Sequence, residues 1–113
     1  MARGIIIGRF DGGFETITPV GTTLSSAPVL TGAVNACPAA ASNTAVALPA
    51  RAAGPIVVLN TAGTATALTV FPPTSAGKIN NGSAGAPVSV NQSKSAVFYP
   101  MANGVDYAAV ISA

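Results

Sequence analysis

The chain has 113 residues, of which only 7% are charged: five Lys or Arg, three Asp or Glu, and no histidine. General acid–base catalysis, metal binding and nucleophilic catalysis need His, Cys, Asp, Glu or Lys held close together, so the composition argues against an enzyme and predicts no catalytic, cofactor or metal site. The net charge of +2 comes without a basic run, and no apolar run approaches the ~20 residues of a membrane helix, so neither nucleic acid nor a membrane is expected as a partner.

Length and polarity together predict a single domain that associates with other copies of itself. Single domains typically run about 100–150 residues. Half of the residues are hydrophobic, while the charged fraction is far below the roughly 25% of typical soluble domains. Because a free monomer usually needs more surface charge to stay soluble, a surface of Ala, Ser, Thr, Asn and Gly predicts a homo-oligomer.

Residues 1–41 are predicted to form an N-terminal arm and the first short strands, which pack on the domain or on neighbours. Residues 4–10 and 14–20 alternate like strands around a turn at residues 11–13, so they could form a hairpin. The next twenty residues are a long neutral connection with short strands near Val29 and Val34. The Ala-rich residues 36–41, interrupted by Pro38, make at most a short turn of helix.

Residues 42–113 are predicted to form a β-sandwich core, because short strands recur there with turn signals between them. In the last predicted strand Val105, Tyr107, Ala109 and Ile111 share one face. The predicted strands lie at residues 44–48, 56–59, 67–71, 78–80, 88–90, 95–99 and 105–111. A spacing of about 8–12 residues is typical of sandwiches and small barrels, so we expect an all-β fold of about eight short strands, jelly-roll-like or Greek-key.

Few residues are candidates for chemistry. Cys37 has no second cysteine to pair with and no histidine to activate it, so we interpret it as a small, half-buried structural thiol. Asp106 and Tyr107 are interpreted as neighbouring strand residues, with the carboxylate facing out and the ring facing in. Arg9 could contact a phosphate or an acidic neighbour, but a solvated or salt-bridged arginine is the simpler interpretation.

Interface candidates are easier to identify than catalytic ones. Three consecutive isoleucines are hard to leave exposed, so they either add a strand to the domain's own sheet or pair with a neighbouring subunit, which we favour. Tyr99 faces away from its predicted core neighbour Phe98, and exposed aromatic side chains are common at interfaces. The interface candidates are therefore Ile5, Ile6, Ile7, Arg9, Phe14 and Tyr99.

About three quarters of the chain, from residue 29 to residue 111, resembles a family of small virion-associated proteins of tailed bacteriophages and prophages. The matching motifs mark strand ends and turns. They are Leu48-Pro49-Ala50 through Gly54, Val57-Val58-Leu59-Asn60, residues 67–73, Lys78-Ile79-Asn80, residues 94–99 and residues 107–111. The resemblance implies a capsid decoration or cement protein, or a part of a tail or fibre.

The expected function is therefore that of a structural virion protein. It would decorate and cement a bacteriophage capsid across subunit junctions, as a trimer, with the major capsid protein as partner and residues 1–20 as a tether. Its place would be the capsid surface of the virion, after assembly in the cytoplasm of the bacterial host. The alternative is a tail or fibre component in host attachment, where Tyr99, Tyr107 and Asp106 could contact a glycan.

Overall fold

A computed structural model describes residues 13–112 and contains strands but no helix in that range. The prediction of an all-β fold with about eight short strands is confirmed. The strands are β1 (Phe14–Thr16), β2 (Val34–Cys37), β3 (Ala45–Ala47), β4 (Ile56–Asn60), β5 (Leu68–Phe71), β6 (Val88–Val90), β7 (Ser95–Pro100) and β8 (Tyr107–Ile111).

The strands form a larger sheet in the order β1-β2-β4-β7-β8 and a smaller sheet in the order β3-β5-β6. β1, β2 and β4 run parallel to one another, as do β3 and β5, while the other pairs are antiparallel. Parallel neighbours need a crossover connection. Between β2 and β4 the chain makes this connection by forming β3 of the smaller sheet. This mixed pairing differs from the purely antiparallel pairing of a jelly roll or a Greek key.

The inner faces of the two sheets contribute to one hydrophobic core, as expected of a sandwich. Val58 and Phe98 of the larger sheet and Val70 and Val90 of the smaller sheet are all fully buried in the same cluster. Alternation along β4 and β7 sends every second side chain into this core. In β7 it buries Phe98 and leaves Tyr99 exposed, as the sequence predicts.

Two buried asparagines tie backbone segments together. The Asn60 side chain, 2% exposed, donates to the carbonyls of Thr66 at 2.8 Å and Val90 at 2.9 Å, and it accepts from the Ala62 N–H at 3.0 Å. Since Asn60 ends β4 and Val90 ends β6, these bonds join the two sheets. Asn35 in β2 is fully buried and bonds the backbone of Gly32 and Val57.

Some local predictions were wrong. Residues 36–37 extend β2 instead of starting a helical turn, because their backbone pairs with β4. The predicted strand at residues 78–80 is reduced to one bridge, from Ile79 to Tyr107. Cys37 is fully buried, not half-buried.

Other predictions are trimmed or untested by the structure. The strand predicted at residues 14–20 ends at Thr16, and its predicted hairpin partner at residues 4–10 lies outside the described residues. β1 and β2 belong to the larger sheet, while the division of the chain at residue 41 stays a prediction.

A candidate docking face

Strand register aligns an apolar row across all five strands of the larger sheet. Phe14 is paired with Val34, Val34 with Val57, Val57 with Val97, and Val97 with Val110. Paired residues point to the same side of a sheet, and their strand neighbours, such as Val58 and Phe98, point into the core. The row therefore lies on the side of the sheet that faces away from the core, which we call the outer face.

The rest of the outer face is also apolar or small. The edge residues of the row are strongly exposed, Phe14 at 63% and Val110 at 65%, and Tyr99 is exposed at 45%. Ala36, Leu59, Tyr99 and Ala108 flank the row, with Thr16 and Ser95 as its small polar neighbours. Contiguous exposed apolar patches often mark surfaces that bind other proteins.

The smaller sheet, in contrast, has part of its outer face, on β3 and β5, covered by the chain itself. Leu24 and Ala27, in the connection between β1 and β2, pack on the separate cluster of Ala45, Ala47 and Phe71. The connection is held by backbone bonds, including Leu30 N–H to the Ala47 carbonyl at 2.9 Å. Among residues 13–112 no comparable segment covers the larger sheet, so the two outer faces are not equivalent.

The β8 edge of the larger sheet is closed by Asn80. Its side chain accepts from the Ala109 N–H at 2.7 Å and donates to the Ala109 carbonyl at 3.1 Å. The backbone of Lys78 and Asn80 satisfies the N–H and carbonyl of Tyr107 in the same way, both at 2.9 Å. A strand edge whose bonds are already made is a poor place for another strand to add, so the outer face is the better candidate for contact.

The predicted interface residues divide into two groups. Phe14 and Tyr99 both lie on the outer face, on β1 and β7. Ile5, Ile6, Ile7 and Arg9 lie outside the described residues. Sequence reasoning missed the four valines of the row. The sequence did contain part of the signal for this row. If Tyr107, Ala109 and Ile111 face the core, Val110 must face the opposite side of the sheet.

A separate, concave surface lies where the loops meet the start of β8. It is a groove of about 360 Å³ lined by Asn80, Asn81, Met101, Asp106, Tyr107 and Ala108. The Asp106 carboxylate accepts the Lys78 N–H at 2.9 Å, and the Tyr107 hydroxyl donates to the Pro49 carbonyl. Tyr107 is 2% exposed, as the interpretation of an inward-facing ring requires. Most polar groups of the groove are thus engaged in holding the fold together.

Cys37 and Tyr107 are both buried in the core. Burial raises the pKa of the Cys37 thiol to about 12, so the thiol is protonated at neutral pH and is not a ready nucleophile. Burial also raises the pKa of Tyr107 to about 12. Across residues 13–112 no three His, Cys, Asp or Glu side chains gather as metal ligands. The same range has no helix with the length and hydropathy to cross a bilayer.

Comparison of the chain with protein-family models, with curated proteins and with solved structures found no match. The resemblance to bacteriophage virion proteins therefore stays a prediction from sequence motifs. Function has to be inferred from the fold and from the outer face.

Proposed function

We propose that this protein is a structural component of a bacteriophage virion, where it decorates and cements the capsid across junctions between major capsid protein subunits. It would act as an oligomer, and a trimer is the form that we expect. The observation that best supports this proposal is the uncharged, apolar outer face of the larger sheet. An exposed surface of this kind is suited to lasting burial against protein.

The physical argument concerns what burial of the outer face would cost. Charged groups lose hydration when an interface closes over them, and their mutual attraction often fails to offset that loss. The cores of permanent interfaces are accordingly apolar and poor in charge, with aromatic residues as frequent anchors. Phe14 and Tyr99 provide such anchors on a face otherwise made of Val, Ala and Leu with two small polar residues, Thr16 and Ser95. No enzymatic role is proposed.

Capsid binding tests the proposal directly. Purified protein is mixed with DNA-free expanded capsids of the bacteriophage that encodes it, and bound protein is counted after sedimentation. We expect binding that saturates at a fixed number of copies per capsid and raises the temperature at which the capsid opens. Wild-type protein that leaves the capsid unbound at saturating concentrations would contradict capsid decoration.

A pair of variants tests whether the outer face is needed for binding. Val97→Asp places a carboxylate within the apolar row, next to its central residue Val57, while Ser89→Asp adds the same charge to the exposed edge strand of the smaller sheet. We expect the Val97 variant to lose capsid binding and the Ser89 variant to keep it. Equal binding by both variants would show that the outer face is not needed for capsid binding.

Host attachment as part of a tail or fibre is the second candidate, favoured by the groove beside β8. The groove carries amide and carboxylate groups, and the exposed Tyr99 is the cross-strand partner of Ala108 in its lining, a combination that could bind a glycan. Copy number in purified virions separates the two candidates. Hundreds of copies per particle support capsid decoration, whereas a handful supports a tail position. Asn81→Ala then tests glycan binding in the groove.

A further inference from the structure

We infer that the outer face of the larger sheet pairs with the same face of a second copy of this chain. The inference rests on the proposed function in one respect: it gives the outer face a second copy of the chain as its direct partner, so that capsid binding would depend on this face through the paired form. It is nevertheless measured without any capsid, so the two can fail independently.

Charge indicates which partner fits. Five charged residues lie in the described range, and none occupies an outward-facing strand position. Glu15 is paired with the buried Asn35, so it lies on the core side of the sheet. The other four lie between strands: Arg51, Lys78, Lys94 and Asp106. A partner surface bearing charge would lose hydration against this face without gaining a counter-ion. The chain itself offers an uncharged apolar surface of matching size, so the face is complementary to itself.

The order of side chains along the row favours a two-fold axis parallel to β4. Such an axis reverses the order of the strands and keeps the row in register. Val57, on the central strand, then meets its equivalent, and Phe14 at one edge lies over Val110 of the partner subunit at the other. A bulky ring opposite a smaller side chain packs more evenly than two opposed rings, and a two-fold pairing uses one surface on both copies.

The size of the face sets the strength of the pairing. The outer face has eleven outward strand positions, because the third row consists of Tyr99 and Ala108 alone. With strands about 4.8 Å apart and a rise of about 3.3 Å per residue, each copy would bury about 350 Å² of plan area, and the pair roughly 700 Å². This lies below the size of a stable specific interface and in the range of weak, transient contacts. Pairing should therefore be reversible in solution and strengthened where copies are held close together.

A charge-complementation experiment tests the inference. The full chain is followed by sedimentation velocity over a wide concentration range, with Val57→Asp and Val57→Lys prepared separately. Wild-type protein should show a twofold rise in mass with concentration, and each variant alone should not, because equal charges would meet at the axis. An equimolar mixture of the two variants should recover the twofold rise. Ser89→Asp is the matched control and should associate like the wild type.

Each outcome bears on the inference. Dimers, or hexamers built from two trimers, support it when they respond to Val57 as described. A wild-type protein whose mass does not change with concentration overturns it. The same result is expected if residues 1–12 of the same chain cover the outer face. Association unaffected by either Val57 variant also overturns it. If a Val57 variant fails to fold by circular dichroism, Val110→Asp, at a position 65% exposed, replaces it and should abolish the rise. Normal pairing without capsid binding would refute the proposed function alone.

Discussion

Replacing Asn60 by aspartate should strongly destabilise the fold, because the change keeps the shape of the side chain but removes its amide donors. The Asn60 amide donates to the carbonyls of Thr66 at 2.8 Å and Val90 at 2.9 Å and is 2% exposed. In the variant, a carboxylate oxygen faces both carbonyl oxygens. Two lost hydrogen bonds cost about 1 kcal/mol each, and an uncompensated buried charge brings the total to about 3–5 kcal/mol. Small domains have only about 5–15 kcal/mol of stability.

The loss should depend on pH with a defined sign. Burial and the two facing carbonyls raise the pKa of the new carboxyl group above the ordinary value of about 3.9. A raised pKa in the folded state means that stability is retained at low pH, where the carboxyl is protonated and can donate one bond. Stability is then lost as the pH rises through the folded-state pKa. The variant should therefore lie closer to the wild type at pH 4 than at pH 7.

Urea unfolding followed by circular dichroism measures both effects. The matched control is Asn91→Asp, which makes the same chemical change at an exposed turn residue and should shift the free energy of unfolding by no more than about 0.5 kcal/mol. The slope with urea should be unchanged in all variants. An Asn60→Asp protein within 1 kcal/mol of the wild type at pH 7 would refute the idea that this side chain joins the two sheets.

Three further outcomes are expected. Tyr107→Phe should cost about 1–3 kcal/mol by leaving a backbone carbonyl without its donor. Because burial raises the pKa of Tyr107 to about 12, wild-type stability should be full below pH ~10 and fall as the pH rises through 12; alkaline melting should show a shallower loss in the variant. Cys37 should resist maleimide at pH 8 in the native state and react after unfolding, since its pKa is about 12; rapid native labelling would contradict its burial. Gly77→Ala places a Cβ against the backbone carbonyl oxygen of Val105 and should destabilise by about 1–3 kcal/mol, whereas Gly63→Ala, with open space around it, should not, as thermal unfolding would show.

Local patterns predicted much of the strand content. Alternation in residues 95–99 correctly separates the buried Phe98 from the exposed Tyr99, and alternation near the C-terminus correctly turns Tyr107 inward. These predictions succeed because a strand exposes its side chains with a period of two, which the sequence shows directly. The pattern fails at residues 36–37, where Ala and Cys give no strand signal and pairing with β4 decides the conformation.

The sequence by itself determined that this is a charge-poor, all-β chain with few groups suited to catalysis, because these properties follow from composition and from short-range alternation. Only the tertiary structure decided which strands are neighbours, and with them the outer face. Its row runs from Phe14 to Val110 through residues on five strands far apart in the chain. Such alignment depends on long-range strand register, and shifting one strand by a single residue would turn its valine into the core.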